Sequence, residues 1–152
     1  MLVEDRLKSL GLTLPDPPPR GGEYVPAVQV GNLLFVSGHG PYLDGEYAFR
    51  GKVNSQVSLD DAREAARITM LNALANTKAV LGSLDRVQQV VKLLGMVNSD
   101  PHFGMQPQVI DGASELLVAV FGDKGRHARS AVGMGALPLD ICVEIEMILE
   151  VS

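Results

Sequence analysis

Two charged residues in the C-terminal quarter of the chain, Arg129 and Glu144, have side chains suited to anion binding and proton transfer. Arg129 directly precedes a strand-like segment, 130–135, and its guanidinium cannot be neutralised by losing a proton. It therefore needs an acceptor, and a carboxylate that forms two hydrogen bonds with it fits best. Either a ligand supplies that carboxylate, or the protein supplies it through Glu144 or Asp111.

Glu144 belongs to the last apolar segment, 142–151, in which every second residue is apolar. This period of two is typical of a strand with one buried face, and it places Glu144, Glu146 and Glu150 together on the other face. The carboxylate of Glu144 is then either a structural partner of Arg129 or a general base. A general base requires a water within hydrogen-bond reach and no permanent neutralising bond. The side chains predicted to face the helices are Ile145, Met147 and Leu149.

Length and composition indicate a single globular domain. The chain has 152 residues, of which 46% are apolar and 20% are charged, and such a chain can bury a core. We therefore assign residues 1–152 to one domain, in which residues 1–22 form an N-terminal helix and a proline-rich arm. The formal net charge of −5 argues against a nucleic-acid partner, because an acidic surface repels phosphates.

The cellular location is inferred from cysteine content and from the N-terminal segment. Cys142 is the only cysteine, which excludes an internal disulfide and favours a reducing compartment. Its apolar neighbours indicate a buried thiol rather than a nucleophile. Residues 1–6 do not resemble the start of a secretory signal, and no apolar run approaches membrane-spanning length. We expect a cytoplasmic protein that has no membrane partner.

The elements that must position Arg129 and Glu144 follow the order ββ(β)αβαββ. Strands are predicted at 28–30, 33–37, 87–97, 130–135 and 142–151, and long helices at 58–82 and 107–121. This order predicts an α+β fold with two helices on one face of a mixed sheet. The sheet has six strands when the segment around the Asp44-Gly45 turn is counted. Two helices cannot cover both faces, so the other face is polar or meets a partner chain.

Four segments of the chain resemble the YjgF/RidA (Rid) family in their order and spacing. They run from Tyr24 to Val28, from Gly31 to Pro41, from Ala128 to Val132 with Leu137-Pro138, and from Val143 to Glu146. The resemblance covers about residues 20–152. Two further stretches, 109–117 and 125–129, resemble a subgroup of that family with longer chains.

The resemblance implies a chorismate-mutase-like fold assembled as a homotrimer, with a cleft between each pair of neighbouring subunits. The best-known members hydrolyse reactive enamines and imines, such as 2-aminoacrylate and its imino-acid tautomer, and they need no cofactor. The expected function is therefore deamination of small 2-imino acids. The alternatives are a trimeric module that binds small carboxylate metabolites without catalysis and, less favoured by the charge, a ribonuclease or translation inhibitor.

The resemblance also implies roles for individual residues. Arg129 matches the arginine that clamps the substrate carboxylate, Glu144 the carboxylate that positions the attacking water, and Tyr24 a tyrosine that lines the cleft. Ala131 stands where backbone groups contact the ligand, and many members have cysteine there, so thiol chemistry is not expected. Asp111 stands where deaminating members often have asparagine, and an added acid beside an anion site would weaken or redirect binding.

His39 ends the second predicted strand and is the remaining candidate for ligand binding. It either faces the cleft or is an ordinary turn histidine. The three histidines of the chain are scattered and no paired cysteines accompany them, so their spacing does not match a metal site.

Overall fold

Strands and helices of the protein, described for residues 1–152 by a computed structural model, form two layers, a sheet and a set of helices. The helices are α1 (Val3–Ser9), α2 (Leu59–Leu81) and α3 (Gln106–Phe121). The strands are β1 (Ala27–Val30), β2 (Leu33–His39), β3 (Tyr42–Leu43), β4 (Glu46–Tyr47), β5 (Val87–Asn98), β6 (Ala128–Met134) and β7 (Val143–Val151). Short 3-10 turns occupy Leu84–Arg86, Gly122–Gly125 and Pro138–Asp140.

The main sheet has five strands in the order β1-β2-β7-β5-β6. Only β5 and β6 are parallel, and the other neighbours are antiparallel, so the predicted α+β mixed sheet is confirmed. The predicted count of six strands is wrong. The segment around Asp44-Gly45 forms a separate ribbon of β3 and β4, because both edges of the preceding strand, β2, are already paired with β1 and β7.

Helix α2 begins and ends at the residues that the sequence indicated. The hydroxyl of Ser58 accepts a hydrogen bond from the backbone N–H of Asp61 at 3.1 Å, which satisfies one unpaired donor of the first turn. Gly82 closes the helix with a φ of 85°, a conformation that glycine adopts without strain. The buried stripe of α2 is rich in alanine, so α2 approaches both the sheet and α3 closely.

The helices cover one face of the sheet, as predicted. Along β7 the buried residues alternate with more exposed ones, and Glu144, Glu146 and Ile148 lie on the open face. That face is not wholly polar, because Phe35 and Val132 are exposed there. The side chains of β7 in the hydrophobic core are Val143, Ile145, Met147, Leu149 and Val151.

The N-terminal segment packs onto this domain. Arg6 Nε donates to the carbonyl oxygen of Ala119 at 2.8 Å, and Glu4 forms an ion pair with Lys78 at 2.7 Å. The first helix thus contacts both long helices, in accordance with the predicted N-terminal helix. No helix of the protein combines the length and the apolar character needed to cross a membrane.

Gly112 lies where the two long helices approach each other closely, and it supports a prediction about stability. A Cβ at Gly112 would overlap the carbonyl oxygen of Arg63 on α2. We expect Gly112→Ala to lower the free energy of unfolding by about 1–3 kcal/mol, since overpacking outweighs the better helix propensity of alanine. Urea denaturation measures the change, and Gly104→Ala, where a Cβ meets no atom within 4 Å, is the control. Equal stabilities for the two variants would contradict this packing argument.

Candidate functional site

Arg129 lies on β6, an edge strand, and its side chain reaches helix α3. Its Nη1 donates to Asp111 Oδ1 at 2.7 Å and to Ser114 Oγ at 3.1 Å. The Arg129 side chain is 22% exposed, and its Nε and Nη2 make no hydrogen bond within the chain. One nitrogen of the guanidinium is therefore held by the protein, while the other two are available to a ligand.

A chain of hydrogen bonds behind Arg129 orients its guanidinium. His127 Nδ1 lies 2.6 Å from the carbonyl oxygen of Gly125, and because a carbonyl only accepts, Nδ1 carries a proton. In the neutral ring, Nε2 then accepts the hydroxyl proton of Ser114 at 2.9 Å. The oxygen of Ser114 is left facing Arg129 as an acceptor.

The sequence did not single out Ser114 or His127. A signal was present for Ser114, because it follows Asp111 by three residues in a predicted helix. Residues with that spacing share one helix face. No comparable pattern indicates a role for His127. Its orientation depends on the turn that places the carbonyl oxygen of Gly125 next to its ring.

Glu144 lies on β7 with its side chain on the opposite face of the sheet from Arg129. On β5, which lies between the two strands, Glu144 pairs with Met96 and Arg129 pairs with Leu93. Residues three apart on one strand face opposite sides of the sheet. No protein group donates a hydrogen bond to the carboxylate of Glu144. Burial, with a smaller contribution from the charge of Glu146, raises the pKa of Glu144. Of the two protein partners considered for Arg129, Asp111 and not Glu144 forms the ion pair.

Glu144 depends on a glycine for its position. A Cβ on Gly38 of β2 would lie 2.6 Å from Glu144 Oε2, so any larger residue there would displace the carboxylate. The two residues border a cleft of about 600 Å³ on the open face of the sheet. Tyr24 also lines this cleft; it is 44% exposed, and its hydroxyl accepts from the backbone N–H of Gly21 at 3.1 Å.

The predicted site residues thus form two groups within one copy of the chain. Tyr24 and Glu144 line the cleft on the open face, whereas Arg129 and Asp111 meet on the helix side. Ala131 lies on β6 two residues after Arg129, on the same face, and packs against the core. A site that uses both groups must therefore be formed by two copies of the chain.

His39 is placed in neither group. Its imidazole is 7% exposed and faces α2, where Nε2 lies 2.9 Å from Asn76 Nδ2. It borders a smaller cavity on the helix side of β2. Burial lowers the pKa of His39, so the ring is neutral at physiological pH.

Cys142 has the inert character that its apolar neighbours indicated. The thiol is buried, and burial raises its pKa to about 12. A thiol with so high a pKa is not ionised at neutral pH and is a poor nucleophile. No group of three or more His, Cys, Asp and Glu side chains in the chain is arranged to hold a metal ion.

Comparison with known proteins decides the family. Residues 4–151 match the family described as "YjgF/chorismate mutase-like, putative endoribonuclease". The chain belongs to this family. The assignment made from four segments of the sequence is confirmed, and so is the chorismate-mutase-like fold.

Solved structures of family members resemble the protein along nearly its whole length. The protein Atu1372 from Agrobacterium tumefaciens is 46% identical, with a TM-score of 0.90 over 99% of this chain and 92% of that chain. A "putative endoribonuclease" from Shewanella oneidensis is 33% identical, with a TM-score of 0.95 over 99% of this chain and all of the other. RidA from an Antarctic Psychrobacter is 28% identical, with a TM-score of 0.61 over 90% of this chain and 94% of that chain.

Membership of the YjgF/RidA family supports a role connected with small-molecule metabolites. It does not support the exclusion of nucleic acid that the net charge of −5 suggested. Both the family description and the name of the Shewanella protein contain the word endoribonuclease.

Proposed function

We propose that the protein is a hydrolytic deaminase of small 2-imino acids that works at clefts between the subunits of a homotrimer. Water adds to C2 of the imine, and Glu144 accepts the proton that the water loses. Glu144 passes that proton to the imine nitrogen, and the hydroxyl proton of the resulting carbinolamine then moves to the same nitrogen as the C–N bond breaks. Ammonia leaves, and the 2-keto acid remains. The bond broken is C–N and the bond formed is C–O, so no oxidant or reductant is needed.

The state of Glu144 is the observation that carries this proposal. The carboxylate is free of protein hydrogen bonds, borders a cleft of about 600 Å³ and has a raised pKa. A carboxylate with those properties can hold and deprotonate a water molecule. A structural carboxylate would be neutralised by a partner, as Asp111 is by Arg129.

Arg129 supplies the second requirement, a grip on the substrate carboxylate. Because Arg129 and Glu144 lie on opposite faces of one sheet, we assign them to the same cleft from neighbouring subunits, as the family resemblance implies. The free Nε and Nη2 of Arg129 are two donors of one planar fork, the arrangement that matches a carboxylate. The substrate can therefore bind without breaking the bond from Nη1 to Asp111.

The wild-type protein tests the proposal directly. A threonine dehydratase generates 2-iminobutyrate in situ, and semicarbazide competes for the free imine. We expect the protein to divert the imine to 2-oxobutyrate and to reduce the semicarbazone yield in proportion to its concentration. If the semicarbazone yield does not change, even with enough protein present for 2-oxobutyrate binding to be saturated, deamination is refuted.

A specific observation favours one second candidate, a binding module without catalysis. The ion pair between Asp111 and Arg129 lowers the positive charge available to a substrate, and deaminating relatives often have asparagine at that position. A module of this kind would bind 2-oxobutyrate, as calorimetry would show, and turn over no imine.

The same ion pair supports a prediction for Asp111→Asn. The amide keeps an oxygen that accepts from Arg129 Nη1 but removes the negative charge beside the anion site. Because the pair is partly exposed, the expected effect is modest: about a tenfold lower Kd for 2-oxobutyrate. Calorimetry measures it, and Asp123→Asn, beside the exposed Arg126, is the control. An unchanged or higher Kd would show that Asp111 does not oppose anion binding.

A further inference from the structure

A second cavity adjoins the cleft on the helix side of β2. We call it the arm cavity, because the proline-rich arm roofs it; Pro18, Arg20, Tyr42, Tyr47, His39 and Asn76 line it. Its volume is about 150 Å³, a size that accommodates a group as large as benzene. Gly38 and Tyr47 border both the arm cavity and the cleft that contains Glu144. The arm cavity and the cleft therefore adjoin at these two residues.

The inner end of the arm cavity is polar and buried. His39 and Asn76 are each 7% exposed. His39 Nδ1 lies 2.7 Å from the carbonyl oxygen of Ser37, which can only accept, so Nδ1 carries the proton. The neutral ring then has an acceptor at Nε2, and Asn76 Nδ2 donates to it at 2.9 Å. This bond fixes the orientation of the Asn76 amide.

The amide oxygen of Asn76 is left without a hydrogen bond. Asn98 Oδ1 is an example of a side-chain oxygen that is both unpaired and fully enclosed by protein. Asn76 Oδ1 is not enclosed in this way, so it reaches open space, and the space beside Asn76 is the arm cavity. A buried acceptor at the end of a pocket selects a group that donates a hydrogen bond.

The walls of the arm cavity are held in place by the protein itself. Asn72 Nδ2 donates to the carbonyl oxygens of Gly40 at 3.0 Å and Tyr42 at 2.9 Å. Arg20 Nη1 of the arm donates to the carbonyl oxygen of Tyr24 at 2.9 Å, an exposed bond between two residues of the same segment. A preformed pocket costs a ligand little ordering energy.

We infer that the arm cavity is a side-chain subsite that selects 2-imino acids whose side chain ends in a hydrogen-bond donor, such as a carboxamide. The inference rests on the proposed function, because it places the imine carbon at Glu144 and the side chain past Gly38. The carboxamide N–H₂ donates to Asn76 Oδ1. An aliphatic side chain of the same shape leaves that acceptor unpaired, and a site built for a donor discriminates strongly against such an analogue.

An isosteric pair of substrates tests the subsite. An amino acid oxidase generates the imines of asparagine and leucine, whose side chains have the same shape, and 2-iminobutyrate serves as reference. We expect kcat/KM for the asparagine imine to exceed that for the leucine imine at least tenfold. If 2-iminobutyrate is turned over but kcat/KM is equal for the asparagine and leucine imines, or higher for the leucine imine, the subsite is wrong while the proposed function stands. No turnover of any imine instead refutes the proposed function.

Binding provides a readout that does not need catalysis. We expect 2-oxosuccinamate, and not 4-methyl-2-oxopentanoate, to shift the side-chain amide signal of Asn76 in the ¹H–¹⁵N spectrum of the isotope-labelled wild-type protein. Equal shifts, or none with either acid, would overturn the subsite whether or not the protein is an enzyme.

A variant locates the selectivity. Asn76→Leu removes the acceptor at nearly constant size, and the asparagine-to-leucine ratio in kcat/KM should fall to within threefold of unity. A ratio that stays above tenfold in the folded variant would place the selectivity elsewhere. The substitution also removes the hydrogen-bond donor to His39, so circular dichroism is needed to check that the variant folds. If it does not fold, the ¹H–¹⁵N experiment on the wild-type protein tests the subsite by itself.

Discussion

Arg129→Ala lowers kcat/KM for 2-iminobutyrate by about 30- to 1000-fold, the equivalent of about 2–4 kcal/mol of transition-state binding. The free Nε and Nη2 of Arg129 are the donors that we assign to the substrate carboxylate. Removing them leaves that anion without a partner in the cleft. The competition assay with semicarbazide measures the loss, and calorimetry with 2-oxobutyrate shows the matching loss of affinity.

A matched control separates the loss of Arg129 from a general loss of positive charge. Arg126→Ala removes an arginine three residues away, which is exposed and paired only with Asp123, so it should change kcat/KM less than twofold. Arg129→Lys restores the charge without the planar fork and should recover only part of the affinity. If Arg129→Ala retains wild-type kcat/KM while its melting temperature and oligomeric state are unchanged, the clamp is not at Arg129.

The fold could be predicted from the sequence wherever one local pattern decided an element. Ser58 and Gly82 marked the ends of α2, and the period of two along β7 separated Glu144 from Ile145 correctly. The sixth strand was predicted wrongly at Asp44-Gly45, because turn chemistry shows where a chain reverses but not which strand it then joins. That choice depended on β2, whose two edges were already paired.

The candidate site was harder to predict, because it depends on relations between strands. The alternation in β7 gives the face of Glu144 relative to its own neighbours. It cannot relate that face to Arg129, since the connection from β6 to β7 passes through Leu139 and Asp140, which both have positive φ. The arm cavity could not be predicted from the sequence either. Asn76 lies in an alanine-rich helix, and its hydrogen-bond partner His39 is 37 residues away in the chain, so only the fold brings the two together.

Glu144→Gln has the second large effect, a loss of about 10²- to 10⁴-fold in kcat for 2-iminobutyrate, the usual contribution of a general base. Glutamine keeps the shape of the side chain and its contact with Gly38 but cannot accept a proton. In the wild type, kcat/KM should fall as the pH drops through the pKa of Glu144, which lies above the ordinary value of 4.5. The acid limb of the pH–rate profile measures that pKa, and it should be absent from the residual activity of the variant.

Glu150→Gln is the control for this variant, because Glu150 lies on the same strand and the same face but at the far end, where it accepts from Asn32. Its profile should match that of the wild type. A second control, Glu146→Gln, removes the charge that helps to raise the pKa of Glu144, and should move the acid limb to lower pH. If Glu144→Gln keeps the wild-type rate and acid limb, another group is the base.

The same substitution should make the protein more stable, which separates a catalytic Glu144 from a structural one. Because the folded state raises the pKa of Glu144, it holds the proton more tightly than the unfolded chain does, and ionisation above that pKa costs stability. Glu144→Gln removes this cost. The melting temperature should rise by about 1–3 °C at pH 7, a small gain because solvent screens a half-exposed group. The gain should vanish below pH 4, where Glu144 is protonated in both states. Calorimetric scans at the two pH values measure it, and a lower melting temperature at pH 7 would mean that Glu144 supports the fold.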